Sequence, residues 1–448
     1  MFTEDHVSVA IVGGGVAGLA LASILEQSAI SFVLLEANSQ IAPPAGASIG
    51  LMPNGLRILD QIGVIDELEE HMCPHDKWEH RDGNGTLYCT LTAMRKYPEL
   101  LGYSGFFMER QRLLEILYEN IQDKTKIHTG KRVSSIQNFD THALVTTADG
   151  TQITCDFVAG ADGVHSVVRR EIEAASPGLE LPADYFAANY ACVYGISDPL
   201  PALPAGRIQT IYQSSASALL FSGRNGVLYW FVMTALVHPL APGTAPRYTA
   251  ADIAAATAQV ARVPLTSDGT TTTFADVYAA RRTAVMTPLE EGVAVRWTHA
   301  RAALLGDAAH KMVPHAAMGA NQALESAACF ANALFELRGA LGGLPPRGVP
   351  SRLVGARLAA YERRRRGRVT EVVRGAGFAC RAQLKAGEQE RRYVEALPGL
   401  RDEVWLGKVL ESLFEAEKLE GWEADSERVR YYSSQQARRK GGESLASL

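Results

Sequence analysis

The chain has 448 residues, 47% of them hydrophobic, and a formal net charge of -5 at pH 7. This length and composition predict two or three domains with a large buried core. The slightly acidic charge provides no overall attraction to nucleic acid or anionic lipid, which excludes a polyanionic partner.

The cysteines and the N-terminus bear on the cellular compartment. Six cysteines are scattered without C-x-x-C pairing or the spacing of metal ligands, which indicates free thiols in a reducing compartment and no metal site. The N-terminal segment is acidic before its apolar run and lacks the basic region of a signal peptide. No run of about 18 apolar residues occurs, so no transmembrane segment is expected. The sequence therefore predicts a soluble, cytoplasmic protein.

The first motif is a strand, a glycine-rich turn, a helix and a second strand, in "VSVAIVGGGVAGLALASILEQSAISFVLLEA". Gly13, Gly15 and Gly18 form G-x-G-x-x-G, whose first glycine permits the turn, whose second lets the backbone approach a pyrophosphate and whose third allows close packing. Glu36 ends the second strand, near the ~20-residue spacing at which a carboxylate accepts a hydrogen bond from a ribose hydroxyl. The pattern predicts a dinucleotide site, and both FAD and NAD fit it.

The second motif, "FVAGADGVHSVVRR" at residues 157–170, is an apolar strand that leads into a glycine-containing loop and a helix. In one interpretation Asp162 simply caps that helix. The position of this motif between the other two favours a functional interpretation.

The third motif, "LLGDAAHKMVPHAAMGANQALESAA" at residues 304–328, is an apolar strand followed by a loop and a helix. Asp307 leaves the strand in a position to accept hydrogen bonds from sugar or polyol hydroxyls, and Pro314 fixes the loop. The helix that opens at Gly319 presents free N–H groups to negative charge. We expect this entrance to hold the far end of the same dinucleotide. His310 and His315 flank the loop, either as proton donors or as structural residues.

Four β-rich segments at residues 189–233 predict an antiparallel sheet inserted into the dinucleotide-binding domain. Such a sheet would form one wall of a mostly apolar pocket. Four aromatic residues are candidates to line the pocket, and each also fits core packing: Tyr194, Tyr212, Tyr229 and Trp230. The arginine-rich "YERRRRGRVTEVVR" predicts a solvated helix rather than a nucleic-acid surface. Amphipathic helices are predicted beyond it.

In order and spacing, the three motifs resemble those of the group A flavoprotein monooxygenases, the p-hydroxybenzoate hydroxylase type. "PAGASIGLMPNGLRILDQIG" and "FFMERQRLLEIL" are similar to the fungal branch that oxidises terpenoid, indole-terpenoid and polyketide intermediates. The resemblance extends from residue 5 to about residue 375. It implies an α/β fold with a Rossmann-like FAD-binding domain at residues 1–75, 105–182 and 283–375, an inserted antiparallel β-sheet substrate domain at residues 76–104 and 183–282, and a C-terminal helical region at residues 376–448.

The resemblance also implies roles for individual residues. Glu36 would bind the adenosine ribose, Asp307 the ribityl or pyrophosphate region, and Asp162 would reach the cofactor and, indirectly, the nicotinamide donor. The implied cofactor-binding residues are Gly13, Gly15, Gly18, Glu36, Gly50, Arg110, Asp162, Asp307, Pro314, Gly319 and Ala320.

On the substrate side, the resemblance implies that Tyr212 orients the substrate by donating a hydrogen bond. Tyr194, Tyr229 and Trp230 would line the pocket. The strand "YACVYG" lacks the arginine with which related aromatic hydroxylases hold a phenolate, which favours a neutral, alkene-bearing substrate. Ala317-Met318 replaces the Gly-Gln common in the family, so flavin movement is the property least safely transferred.

The implied activity is that of an FAD-dependent monooxygenase with NAD(P)H and O2 as co-substrates. Through a flavin C4a-hydroperoxide it would epoxidise or hydroxylate a small hydrophobic secondary-metabolite intermediate. Because only one glycine-rich fingerprint occurs, a separate NADPH domain is not expected. Two alternatives stay open, an oxygen-independent flavin reductase or dehydrogenase of the same fold and a non-catalytic dinucleotide-binding protein. The expected assembly is a monomer or a homodimer.

Overall fold

The computed structural model describes residues 6–44, 48–266, 272–343, 347–422 and 426–441. Within these ranges the chain forms two large β-sheets, two small ones and a set of helices around them.

The strands, numbered in chain order, are β1 (His6–Val12), β2 (Phe32–Leu35), β3 (Ser48–Leu51), β4 (Lys77–Asp82), β5 (Leu87–Leu91), β6 (Phe106–Glu109), β7 (Ile127–His128), β8 (Val133–Asn138), β9 (Ala143–Thr147), β10 (Gln152–Gly160), β11 (Ala188–Ser197), β12 (Arg207–Tyr212), β13 (Ala216–Ser222), β14 (Leu228–Leu240), β15 (Arg281–Glu290), β16 (Gly292–Val293), β17 (Thr298–His299), β18 (Ala302–Leu304) and β19 (His310–Lys311). The α-helices are α1 (Val16–Gln27), α2 (Pro53–Gln61), α3 (Ile65–Glu69), α4 (Tyr97–Leu101), α5 (Arg110–Asn120), α6 (Val167–Ala174), α7 (Ala250–Ala258), α8 (Phe274–Ala279), α9 (Gly319–Ala340), α10 (Ser351–Gln383), α11 (Glu388–Ala396), α12 (Asp402–Phe414) and α13 (Glu427–Lys440).

The first large sheet is arranged so that its parallel strands end at one edge, namely β1, β2, β7, β10 and β18. Its order is β17-β18-β10-β1-β2-β7, and β9 extends it from β10 with β8 paired to β9. β1 runs parallel to both β10 and β2, and β10 runs parallel to β18. The apolar run from Val9 to Val12 in β1 is buried, as expected for a central parallel strand covered on both faces. The carboxyl ends of β1, β10 and β18 therefore meet at the edge where open α/β sheets bind ligands.

The second large sheet has the order β15-β11-β14-β13-β12-β4-β5, and only its β12 and β4 run parallel to each other. Successive side chains alternate between its faces. One face, which includes Cys192, Phe221 and Phe231, joins the main core. The other, which includes Val193 and Trp230, packs against α7 and α8 in a second core. The sheet therefore has one face toward the first domain and one face away from it.

Two elements cross domain boundaries that the sequence analysis expects. β15 continues the second sheet to Glu290, beyond residue 282. α10 runs without interruption through residues 375 and 376. A Cβ added at Gly377 would lie 2.2 Å from Oε1 of Glu291, so this glycine allows close packing rather than ending the helix. None of the helices in the described ranges is both long and apolar enough to cross a membrane.

Candidate active site

The glycine-rich turn lies between β1 and α1, at the ligand-binding edge of the first sheet. Gly13 has φ +106°, and a Cβ there would lie 2.4 Å from the carbonyl oxygen of Ala161. A Cβ at Gly18 would lie 1.9 Å from the carbonyl oxygen of Gly13. At Gly15 a Cβ would meet only Nη2 of Arg110, at 4.0 Å. Close packing within the protein thus explains why positions 13 and 18 are glycine. The free space at Gly15 would allow a pyrophosphate to approach the backbone closely.

Glu36 supports this turn from the end of β2. Its Oε2 accepts a hydrogen bond from the backbone N–H of Gly14 at 2.7 Å. Its Oε1 accepts from the backbone N–H and the side-chain amide of Asn38, at 2.7 and 2.8 Å. A carboxylate has about four acceptor positions, so one stays available for a ribose hydroxyl.

A cavity of about 340 Å³ lies beside the turn, bounded by the first sheet and by β11, β14 and β15 of the second. We call it the flavin cavity. It brings together eight of the residues proposed from the sequence, namely Gly15, Gly50, Arg110, Tyr194, Asp307, Pro314, Gly319 and Ala320. Gly15 and Ala320, which are 305 residues apart along the chain, thus meet at one place.

An ion pair lies in the wall of the flavin cavity. Asp307 accepts a hydrogen bond from Nζ of Lys311 at 2.8 Å. Burial alone would raise the pKa of the Asp307 carboxyl, but the positive charges of Lys311 and Arg110 hold it below its usual value. The same attraction to Asp307 raises the pKa of Lys311. Lys311 could not be predicted from the sequence, because a lone lysine after a strand has no distinguishing pattern.

The loop before α9 closes one side of the flavin cavity. A Cβ at Gly50 would lie 2.8 Å from both the Ala317 Cβ and the Phe107 ring, so Gly50 permits three segments to converge. Asn321 holds them, because its side-chain amide donates to the carbonyl oxygens of Gly50 and Ala317 at 3.0 and 2.6 Å. α9 begins at Gly319, so its first N–H groups lie at the cavity wall.

The Asp162 side chain caps the N-terminus of α6 and does not line the flavin cavity. Its carboxylate accepts hydrogen bonds from the Ser166 hydroxyl and from the backbone N–H groups of Val167 and Val168, the latter two at 2.7 and 3.2 Å. Its neighbours Ala161 and Gly163 line the flavin cavity, but Asp162 does not. These contacts correspond to the capping interpretation of the sequence. That Asp162 reaches the cofactor stays a prediction.

A second, larger cavity of about 650 Å³ adjoins the flavin cavity. The two share Phe107 and Ala317 as a common wall. Most of its lining is apolar or aromatic and comes from Met52, Trp78, Met94, Tyr97, Ile208, Leu219, Phe221, Met318, Val372, Ala376, Trp405, Val409 and Leu413. We call it the apolar cavity. It lies on the main-core face of the second sheet.

Two of the aromatic residues proposed to line the substrate pocket lie elsewhere. Trp230 is fully buried in the second core, where its Nε1 donates to the Ser197 hydroxyl at 2.8 Å and its ring packs 5.5 Å from Phe274. Tyr229 points to the other face but lines neither cavity. Because adjacent residues of a strand face opposite ways, the two could never line one pocket together. Tyr194 lines the flavin cavity and not the apolar cavity.

Tyr212 does not line the flavin cavity or the apolar cavity either. Its hydroxyl is 2.9 Å from Nδ1 of His80, and Val394 and Leu397 cover its ring. The role of orienting substrate is therefore not supported for Tyr212. Nothing in the strand pattern indicated that α11 would cover this end of the sheet.

His310, His315 and His75 have lowered pKa values, and of these His310 and His315 are buried and His75 is half-buried. His310 is fully buried, 2.8 Å from the Ser326 hydroxyl, and burial lowers its pKa to about 3. His315 lies at the edge of the apolar cavity, where burial lowers its pKa to about 3 despite the nearby Gln383 side chain. His75, which the sequence analysis missed, lies 5.7 Å from the Phe107 ring, and burial lowers its pKa to about 4. All three are neutral at physiological pH.

A third cavity, of about 530 Å³, borders the flavin cavity on another side and shares Thr287, Leu289 and Lys311 with it. Its lining is more polar and includes His165 and Arg247. We call it the polar cavity. Arg247 is exposed and belongs to none of the ion pairs found among the described residues. Nε2 of His165 lies 3.8 Å from Oε1 of Glu290, which also lines this cavity. This cavity is the more suitable of the two neighbours for a charged ligand.

Comparison with known proteins identifies the family. Residues 6–376 match the family described as FAD binding domain. The chain is 39% identical over 337 residues to the FAD-dependent monooxygenase ausM of Aspergillus calidoustus, covering 75% of this chain and 72% of that protein. It is 35% identical over 394 residues to the FAD-dependent monooxygenase paxM of Penicillium paxilli, covering 86% and 80%.

Solved structures show the same fold. HpxO of Klebsiella pneumoniae, complexed with FAD and uric acid, aligns with a TM-score of 0.73 at 23% identity, over 91% of this chain and 97% of that chain. A salicylate hydroxylase substrate complex aligns with a TM-score of 0.68 at 20% identity, over 92% and 98%. The predicted fold class and the predicted cofactor FAD are confirmed, and a monooxygenase implies NAD(P)H and O2. The chain therefore belongs to the FAD-dependent monooxygenases of the FAD binding domain family.

Proposed function

We propose that this enzyme uses NAD(P)H and O2 to epoxidise or hydroxylate a neutral, largely apolar intermediate of secondary metabolism, of isoprenoid or prenylated aromatic type. The observation that carries the proposal is the apolar cavity, which meets the flavin cavity at Phe107 and Ala317. A substrate held there would be adjacent to the cofactor and largely shielded from water.

The residues around the flavin cavity fit FAD. The turn at Gly15 and the first turn of α1 would take the pyrophosphate, and Glu36 the adenosine ribose. Arg110 and Asp307 would contact the middle of the cofactor, and the backbone of Ala320 would face the isoalloxazine. When bound, FAD would supply the redox chemistry that couples the oxidation of NAD(P)H to the reduction of O2, with one oxygen atom entering the substrate and the other leaving as water. The protein contributes orientation and the exclusion of water.

The charge beside the common wall of the apolar cavity favours a neutral substrate. The other charged residues of its lining are exposed, namely Glu371, Lys408, Glu411 and Glu415. Arg368 reaches the wall, but its guanidinium binds the Glu325 carboxylate through two contacts of 2.8 Å. His75 and His315 are neutral because burial lowers their pKa values. Neither these histidines nor Arg368 would supply a free positive charge for a substrate carboxylate or phenolate beside the common wall.

We place the nicotinamide dinucleotide at the polar cavity. Arg247 and His165 would contact its phosphates, while Lys311 lies where this cavity meets the flavin cavity. In this arrangement the hydride donor and the substrate approach the cofactor through different walls.

The test begins with the absorbance spectrum of the purified protein. NADPH oxidation and O2 uptake are then measured with a panel of prenylated indoles, terpenoids and phenols. We expect a flavin spectrum and O2 uptake that depends on an isoprenoid-bearing member. O2 uptake triggered only by phenols would refute the proposed substrate class. A chain that cannot be loaded with FAD would refute the whole proposal.

A further inference from the structure

Helix α12 forms one side of the apolar cavity although it lies outside the family match. The match ends at residue 376, and α12 spans Asp402–Phe414. Trp405, Val409 and Leu413 all line the cavity. Their spacing of four residues places them on one helix face. The FAD-binding domain therefore does not complete the substrate site by itself.

Contacts at both ends fix α12 in position. At its start, the Asp402 carboxylate accepts hydrogen bonds from the backbone N–H and hydroxyl of Thr92 at 2.8 and 2.7 Å, and from the N–H of Ala93 at 3.2 Å. Near its end, the Tyr432 hydroxyl donates to the Leu413 carbonyl at 2.8 Å, and Arg368 donates to the Ser412 carbonyl. These bonds hold α12 as a fixed wall.

Aromatic rings concentrate where α12 faces the rest of the cavity. The Trp405 ring lies edge-on to Trp78 with centroids 5.9 Å apart, and parallel to Tyr97 at 6.3 Å. At the common wall with the flavin cavity, Phe107 stacks on Phe221 at 3.7 Å. Large flat rings offer a planar ligand both apolar contact and favourable edge or face packing. The α12 end is therefore suited to a planar ring system.

We propose that α12 determines substrate choice. An aromatic ring system of the substrate lies against Trp405 and Trp78, and its isoprenoid chain extends toward Phe107 and the flavin cavity. This inference rests on the proposed function and adds to it that the specificity-determining wall lies outside the family-matched domain.

Equilibrium binding to the FAD-loaded full chain, without NADPH, tests the proposal. The probes are 3-farnesylindole and farnesol, which share the isoprenoid chain and differ in the ring. We expect Trp405→Ala to weaken farnesylindole binding about 10-fold and farnesol binding less than about 2-fold. Trp405→Phe should recover most of the lost affinity. Trp422→Ala is the matched control, because Trp422 belongs to the same C-terminal region but stacks on Phe335 and lines neither the flavin nor the apolar cavity.

Val409→Trp provides a second variant if Trp405→Ala does not fold. This substitution fills the cavity from the same helix, and it should abolish farnesylindole binding while FAD content is retained. Equal losses for both probes, or no loss in either variant, would overturn the role of α12. Failure of the wild type to bind farnesylindole would overturn the substrate orientation. FAD content and NADPH-driven flavin bleaching, measured on the same samples, show separately whether the proposed function fails.

Discussion

The buried Glu325 carboxylate gives the sharpest stability prediction. Glu325 and Arg365 are fully buried, and Arg368 is 8% exposed. Both guanidiniums bind the carboxylate at 2.8 Å, and the Asn54 amide donates to it at 2.7 Å. The substitution Glu325→Gln keeps the shape and removes the charge, which leaves two buried arginines without their counterion.

The magnitude follows from two independent arguments. Breaking a buried ion pair by removing one partner costs roughly 3–5 kcal/mol. Burial alone would raise the pKa of Glu325, but Arg368 and Arg365 lower it from the ordinary 4.5 to about 2. A lowering of this size corresponds to about 3 kcal/mol at neutral pH. We therefore expect Glu325→Gln to lower the free energy of unfolding by about 3 kcal/mol.

The sign of the pH dependence follows from the lowered pKa. Stabilisation by the Glu325 charge is fully present above about pH 4.5 and is lost as the pH falls toward 2. The difference between wild type and Glu325→Gln should therefore shrink in that window. Urea unfolding with saturating FAD in every sample measures both effects.

A matched control is Glu388→Gln, because Glu388 pairs with Arg392 while both are largely exposed. An exposed pair contributes at most about 1 kcal/mol, and usually less. A loss below about 1 kcal/mol for Glu325→Gln, or an equal loss for the control, would refute the reasoning.

Three further predictions address the separate cavities. Gly15→Ala should weaken FAD binding at least about 10-fold without lowering the Tm of the FAD-free protein. Gly18→Ala should instead prevent folding, because its Cβ would lie 1.9 Å from a backbone oxygen. Calorimetry with titrated FAD distinguishes the two outcomes. Arg247→Ala should raise the Kd of NADPH in stopped-flow flavin reduction about 5-fold and leave substrate binding unchanged, and equal effects on both would contradict the assignment of the polar cavity. Ala317 has φ +50°, so Ala317→Gly should stabilise the fold by about 1 kcal/mol. The same substitution thins the common wall and should increase the NADPH oxidation that yields no product. An unchanged ratio of product to NADPH would contradict that role of the wall.

The parts of the site that could be predicted are those whose backbone conformation depends on residues close to one another in the sequence. The glycine-rich turn and the loop from Asp307 to Gly319 each connect a strand to a helix. In a parallel sheet such connections lie at the carboxyl ends of the strands, so the sequence predicts the edge of the sheet at which both lie. Because close packing at Gly13 and Gly18 leaves no space for a Cβ, the spacing of the glycines alone predicts this turn. The convergence of these motifs on one cavity needs only the parallel order of β1, β10 and β18.

The substrate side could not be predicted in the same way, because its wall is assembled from distant segments. Trp78, Leu219 and Trp405 come from β4, β13 and α12, and no local pattern connects them. One error was avoidable, since the period of two in a strand already forbids Tyr229 and Trp230 from lining the same pocket. The covering of Tyr212 by α11 was not avoidable, because it depends on where the chain returns after α10.

The arrangement of the cavities bears on how one cofactor serves two reactants. The apolar cavity meets the flavin cavity at Phe107 and Ala317, and the polar cavity meets it at Thr287, Leu289 and Lys311. Among the residues that the structure describes, none lines both the apolar and the polar cavity. In the proposed assignment, substrate and hydride donor therefore need not displace each other. Substitutions in one wall should then change the binding of one reactant only, and a variant that alters both would indicate that the two bind through the same opening.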